Sequence, residues 1–242
     1  MSARAIPIVA LDVGSASEAL AIARSLGEGC RFYKVGSELY VAEGPRVVRA
    51  LIDELGADVF LDLKFHDIPT TVAGAVRSAA SLGVKLVTVH ASGGGAMLEA
   101  ARDAAGDRCG VLGVTVLTSF DDAALARSWG RPAVRVQEEV LRLAEDAAVA
   151  RLHGVVCSGE EAAAVAAAHG DGLALLIPGI RLAGGAVHDQ RRVMTPGAAQ
   201  AAGARYLVLG RAVTAARDPR AAMAQVRAEL AGERPPGMEG NR

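Results

Sequence analysis

Lysine is nearly missing from this chain. Of 26 basic residues only three, Lys34, Lys64 and Lys85, are lysines, so ordinary positive charge is carried by arginine. Nor does charge of one sign dominate, since 26 Lys+Arg face 27 Asp+Glu for a formal net charge of −1. That balance excludes a general nucleic-acid binder, which needs a basic excess to meet phosphate. Cysteine is scarce: Cys30, Cys109 and Cys157 are an odd number without CxxC spacing. They encode neither a disulfide framework nor a zinc site. Cys109 and Cys157 lie in apolar runs and read as small buried core residues. Long apolar runs are missing too. The stretch 6–11 is interrupted by Pro7 and closed by Asp12, too short for a signal-peptide core and far too short to span a bilayer. The expectation is a soluble, cytoplasmic protein with no membrane partner.

What the chain does have is apolar and helix-forming. It is 51% hydrophobic, 22% charged and 3% aromatic, so it can bury enough surface to offset its ordering entropy. Alanine fills 50 of 242 positions, and most Ala-rich stretches read simply as good helix formers.

Short β-rich runs recur at 6–11, 32–35, 59–63, 84–89, 111–117, 154–157, 173–177 and 206–209. The first five begin about 25 residues apart, the length of one strand, one helix and two loops. Helical patterns separate the runs at 17–26, 45–55, 71–82, 97–105, 134–150, 160–168 and 196–202. Pro45 after Gly44 reads as a first helical residue, and Ser158-Gly159-Glu160-Glu161 resembles a capping box. Eight such runs alternating with about eight helices predict the α/β class, as a single (β/α)8 TIM barrel over residues 1–231. Near-continuous apolar strands fit burial on both faces. A doubly wound open sheet is the alternative, but Asp12-Val13-Gly14-Ser15 is not the GxGxxG expected after its first strand. No linker divides the chain, and 232–242, rich in Pro, Gly and charge, reads as a flexible tail.

Polar residues interrupt these runs at their C-terminal ends. Asp12 closes the first, Lys34 lies near the end of the second, and Asp62 and Lys64 end the third. His90, Thr118-Ser119 and Ser158 follow, then Arg181 after Pro178-Gly179-Ile180, then Gly210-Arg211. In a parallel barrel all these ends share the face that carries active sites. Strand exits are often polar, but that does not account for charges inside apolar runs at Lys34 and Asp62. Those two should cost several kcal/mol to desolvate unless paired.

Asp62-Leu63-Lys64-Phe65-His66-Asp67 is the densest cluster. Side chains two apart in a strand share a face, about 7 Å apart along the chain. Asp62 and Lys64 should therefore both point into the barrel mouth, with Leu63 in the outer layer. Together with Asp12 and Lys34 they form an alternating set of carboxylates and ammoniums. Such a set holds a lysine charged and positioned as a proton donor. Arginine hardly ever gives up its proton, so the choice of lysine at two of three positions points to chemistry. Lys85, beside the start of the fourth run, has an ordinary structural reading.

Loops seven and eight of this architecture commonly hold a phosphate. Gly210 allows close approach of the backbone, and Arg181 or Arg211 can clamp a phosphate bidentately. Ser92-Gly93-Gly94-Gly95 lacks the P-loop lysine and reads as a flexible loop. His66, His90 and His188 have no partner at metal-ligand spacing, so no metal is expected. Residues 120–132, with the only tryptophan, Trp129, read as a lid or a packed loop.

The run Phe60-Leu61-Asp62-Leu63-Lys64-Phe65-His66-Asp67-Ile68-Pro69-Thr70-Thr71-Val72 closely resembles the signature of the orotidine 5′-phosphate decarboxylase family. Matches continue, in the family's order, at Ala10-Leu11-Asp12, Tyr33-Lys34-Val35-Gly36, Val87-Thr88-Val89-His90, Leu117-Thr118-Ser119, Pro178-Gly179-Ile180-Arg181 and Gly210-Arg211. They cover residues 6 to about 216. Thr70 stands where the family usually has Asn, and Ser37 where a bulkier residue is common.

The resemblance implies decarboxylation of orotidine 5′-monophosphate to uridine 5′-monophosphate, the last step of pyrimidine synthesis, without cofactor or metal. By similarity Lys64 donates the proton to the ring carbon that loses carbon dioxide. Asp62 lies near the departing carboxylate, and Lys34 completes the charge network. Asp67 reaches the neighbouring subunit's site, implying a homodimer. Asp12 and Lys34 are implied to hold the ribose, Thr118 and Ser119 the pyrimidine side, and Arg181, Gln190, Gly210 and Arg211 the phosphate. Thr71 is implied as a further substrate contact. The nearest alternative is a Mg²⁺-dependent sugar-phosphate decarboxylase or aldolase sharing the Asp-x-Lys-x-x-Asp strand end. A non-catalytic nucleotide-binding barrel is a third reading, with little reason to keep Lys64.

Overall fold

The apolar runs become parallel strands because each can bury both faces at once. A computed structural model describes residues 4–182 and 194–233. Its strands are β1 Ile6–Ala10, β2 Phe32–Gly36, β3 Asp58–Phe65, β4 Leu86–His90, β5 Gly110–Val114, β6 Gly154–Val156, β7 Ala174–Ile177 and β8 Ala204–Leu209. They close in chain order into an eight-stranded parallel barrel. Alternation divides each strand between two cores. Ile8, Phe60, Leu86, Leu112, Leu176 and Tyr206 fill the barrel interior. Their neighbours, such as Val9, Leu61, Val87 and Leu207, pack outward in the layer under the helices. The predicted (β/α)8 barrel is the fold observed.

All seven expected helices are present, at Ala16–Leu26, Pro45–Leu55, Pro69–Ser81, Gly95–Ala105, Val136–Val149, Gly159–His169 and Pro196–Ala201. Four more join them among the described residues, at Ser37–Glu43, Asp122–Ser128, Arg211–Thr214 and Pro219–Ala231. Pro45 does open its helix, after Gly44. The capping box at Ser158 is only half formed. Its Oγ accepts from the Glu160 N–H, but the Glu161 carboxylate takes the serine hydroxyl itself rather than reaching back to the cap's N–H.

The end of the fifth strand differs from expectation for a physical reason. The fifth run, expected to continue to 117, leaves the ladder after Val114, where Thr115 donates its hydroxyl to the Val156 carbonyl at 2.8 Å. Val116 and Leu117 are apolar because they wall the mouth of the barrel, not because they lie in a strand. The eighth strand starts at Ala204 rather than 206.

Ser92-Gly93-Gly94-Gly95 is a 3-10 turn feeding a helix rather than an irregular flexible loop. Gly93 is needed for packing, since a Cβ there would come within 2.1 Å of Met97 Sδ. Residues 120–132 contain the helix Asp122–Ser128, which buries Leu125 and leaves most of the segment exposed. The Asp122 carboxylate accepts from the Val136 N–H at 2.8 Å, and Arg131 pairs with the buried Glu139. Burial alone would raise the Glu139 carboxyl, but the guanidiniums of Arg131 and Arg142 hold it below the usual range. All three cysteines are free and buried. The tail beyond 233 lies outside the described residues.

Candidate active site

The charged residues flagged inside apolar runs meet at the C-terminal mouth of the barrel. Asp12 stands two residues beyond β1, Lys34 within β2, and Asp62 and Lys64 within β3. Lys34 Nζ lies 2.7 Å from Asp12 Oδ1 and 3.9 Å from Asp62 Oδ2. Asp62 Oδ2 in turn lies 2.9 Å from Lys64 Nζ. The result is a continuous chain of alternating charge, two carboxylates and two ammoniums, with no net charge. That pairing meets the desolvation cost of Lys34 and Asp62, whose side chains are only 11% and 13% exposed. Gly36 makes room for it. A Cβ there would sit 2.9 Å from Lys34 Nζ and 3.2 Å from Asp12 Oδ1.

Asp62 and Lys64 share the mouth as expected, but not through regular strand alternation. The register between β3 and β4 runs Leu61↔Val87 and then jumps to Phe65↔Val89. Asp62, Leu63 and Lys64 thus stand opposite Thr88 alone. Lys64 takes a left-handed backbone, φ 52°, a conformation that costs a non-glycine residue roughly 1–2 kcal/mol. Leu63 does pack outward, against the layer under the helices.

These groups line one cavity of about 410 Å³. Thr118, Arg181, Gly210 and Arg211 line it as well. Arg181 follows β7, four strands from β3 and so across the barrel. The cavity is therefore a cleft with balanced charge on one side, two arginines on the β7–β8 side, and apolar walls from residues such as Val114, Val116 and Leu176. Cys157 belongs to those walls. Burial pushes its thiol up to about 12, so it stays protonated and unreactive.

Other expected site residues are not gathered there within one chain. Asp67 is exposed beyond β3, its carboxylate accepting from the Ile68 N–H at 2.6 Å. Thr71 is exposed on the first turn of the helix Pro69–Ser81. Ser119 is exposed and not among the lining residues. Gln190 and His188 lie outside the described residues. His66 and His90 form a ring pair, centroids 5.3 Å apart. Burial, then the charges of His66 and Lys64, lower the His90 imidazole below its ordinary value and favour its neutral form. Among the described residues no three His, Cys, Asp or Glu side chains converge on a metal position.

Sequence reading passed over Thr88 as a functional residue. It is fully buried and touches both members of the β3 pair. The signal was available: a polar residue inside an apolar run, as at Lys34 and Asp62.

The family model described as "Orotidine 5'-phosphate decarboxylase / HUMPS family" matches residues 6–226. The chain belongs to that family. Among relatives, the orotidine 5′-phosphate decarboxylase of Laribacter hongkongensis is 52% identical, the alignment covering 93% of this chain and 92% of that protein. The enzyme of the same name from Halorhodospira halophila is 51% identical over 93% of this chain and 95% of its own. Among solved structures, orotidine 5′-phosphate decarboxylase from Lactobacillus acidophilus superposes with a TM-score of 0.83 at 36% identity, covering 94% of this chain and 99% of that one. Family membership thus spans the whole barrel, from β1 into the last helix, Pro219–Ala231.

Proposed function

We propose that this chain decarboxylates orotidine 5′-monophosphate to uridine 5′-monophosphate, the final step of de novo pyrimidine nucleotide synthesis, using its own side chains and no cofactor. The observation that carries the reading is the Asp12–Lys34–Asp62–Lys64 chain of charge facing two arginines across one cleft. Loss of carbon dioxide breaks a ring carbon–carboxylate bond and leaves the electron pair on the carbon. That carbanion is a poor leaving species, so the rate must come from preorganised charge and from binding energy at the remote phosphate. Lys64 Nζ–H delivers the proton to the carbon, becomes a neutral amine, and regains a proton from solvent, to which its side chain is 37% exposed. Asp62 faces the departing carboxylate, and Lys34 holds the network together.

Asp12 and Lys34 are assigned to the ribose, Thr118 and Ser119 to the pyrimidine, Thr71 to a further substrate contact, and Arg181, Gln190, Gly210 and Arg211 to the phosphate. Asp67 is assigned to the neighbouring subunit of a homodimer. Its exposed position away from its own chain's cavity supports that assignment. The donor set also favours this reading over a Mg²⁺ enzyme, because Asp12 and Asp62 each have an ammonium within 3 Å. Those ammoniums occupy the positions a divalent cation would take. A cytoplasmic location goes with the activity, and three free buried cysteines support it. Among the described residues no helix is long and apolar enough to cross a membrane.

The test is product analysis: orotidine 5′-monophosphate incubated with the purified protein yields uridine 5′-monophosphate and carbon dioxide in equal amounts. An unchanged substrate rejects the reading. Arg211→Ala lowers kcat/KM by about 100-fold, the loss of charge-assisted hydrogen bonds to phosphate. Most of the change appears in KM, with a smaller fall in kcat because phosphate binding also supports the chemical step. An unchanged KM removes Arg211 from the phosphate site.

A further inference from the structure

Lys64 presents a structural problem that the charge network does not solve. Its ammonium sits at the end of a long flexible stem, and its backbone is left-handed without being glycine. Something must hold that conformation. β4 does not do so through an ordinary ladder, because three residues of β3 face one of β4 at this point.

The holding group is the side chain of Thr88. It is 0% exposed. The Lys64 N–H donates to Thr88 Oγ1 at 2.9 Å. A backbone amide can only donate, so the threonine oxygen is the acceptor there, and its single proton is left for another partner. Asp62 Oδ1 stands 3.0 Å away and takes it. The polarity of both bonds is therefore fixed. One hydroxyl fastens the backbone of Lys64 and one oxygen of Asp62, and leaves Asp62 Oδ2 to face Lys64 Nζ at 2.9 Å.

We propose that Thr88 is a positioning residue for the decarboxylation, locking the irregular β3 segment so that the Lys64 ammonium and the Asp62 carboxylate present fixed geometry to the substrate. This rests on the decarboxylase reading given above. Thr88 does not line the cavity, so it acts through Lys64 and Asp62, which do. Its contribution is preorganisation, which is needed in the transition state more than in binding.

The two halves of the threonine side chain separate this role from simple packing. Thr88→Val keeps the shape and the methyl but replaces the hydroxyl with a second methyl and loses both hydrogen bonds, whereas Thr88→Ser keeps the hydroxyl and loses the methyl. With the full-length protein and orotidine 5′-monophosphate, Thr88→Val lowers kcat by about 100-fold while KM and inhibition by uridine 5′-monophosphate stay within about threefold. Thr88→Ser retains most of the wild-type kcat. A packing role reverses the order, with Ser impaired more than Val. The proposal is overturned if Val keeps wild-type kcat, if Ser falls as far as Val, or if the loss lies in KM. Should Thr88→Val fail to fold, Thr88→Ala against Thr88→Ser makes the same comparison, since both lack the methyl and differ in the hydroxyl. Ala about 100-fold below Ser supports the proposal, and equal rates overturn it. A wild type that leaves the substrate intact rejects the reaction assignment and the proposal with it. An active wild type with an equally active Thr88→Val rejects the proposal alone.

Discussion

Lys64→Ala binds uridine 5′-monophosphate as the wild type does and turns over orotidine 5′-monophosphate at least about 10⁴-fold more slowly. Two losses combine in that figure. The variant has no proton donor at the ring carbon, and it lacks the ammonium that Asp62 Oδ2 faces at 2.9 Å. Nucleotide affinity is spared because the arginines that line the β7–β8 side are untouched. Stability is spared as well. Asp62 keeps Lys34 at 3.9 Å and the Thr88 hydroxyl at 3.0 Å, so no buried carboxylate is orphaned. The Lys64 side chain is more than a third exposed, and a pair of that kind contributes only about 0–1 kcal/mol. Alanine meets the same left-handed backbone strain that lysine does, which cancels from the comparison. Steady-state turnover, nucleotide titration and a thermal melt on one preparation check all three points. Full turnover by Lys64→Ala would remove it as the proton donor.

Asp67→Ala alone is nearly inactive, and mixing it with Lys64→Ala restores activity. The expectation follows from two-fold symmetry. If Asp67 crosses to the neighbouring site, a mixed dimer has one site lacking both side chains and one site that is intact. Random exchange in equal amounts then gives about a quarter of the native sites. If each site is built from one chain, every site in the mixture carries one defect and nothing is recovered. Asp67 is exposed, accepts from the Ile68 N–H of its own loop, and is placed to reach outward. Subunit exchange is verified with differently tagged chains before turnover is measured. Absence of recovery after verified exchange places Asp67 in its own chain's site.

Much of this was readable from the residues because a barrel strand punishes polar intrusion. Lys34 and Asp62 stood out against apolar neighbours, and the cost of burying them required the partners that Asp12 and Lys64 supply. Thr88 escaped the same logic. A threonine is an ordinary strand former, so its hydroxyl raised no alarm. The φ of Lys64 was also out of reach, because the β3 irregularity arises from pairing with β4 and not from any glycine or proline in β3. Strand five ends three residues before its apolar run does, because Val116 and Leu117 are apolar for the cleft rather than for the sheet. The helix Pro219–Ala231 carries its own signals in the sequence. Asp218 caps it, and Ala222, Met223, Val226 and Leu230 form its buried stripe.

A barrel that decarboxylates the nucleotide through its own charged side chains turns over without any metal ion. The most direct test is an absorbance assay of orotidine 5′-monophosphate with purified protein dialysed against EDTA. Complete conversion is expected, at a rate that neither EDTA nor added Mg²⁺ changes. Activity that disappears with EDTA and returns with Mg²⁺, or no conversion under either condition, would contradict that expectation.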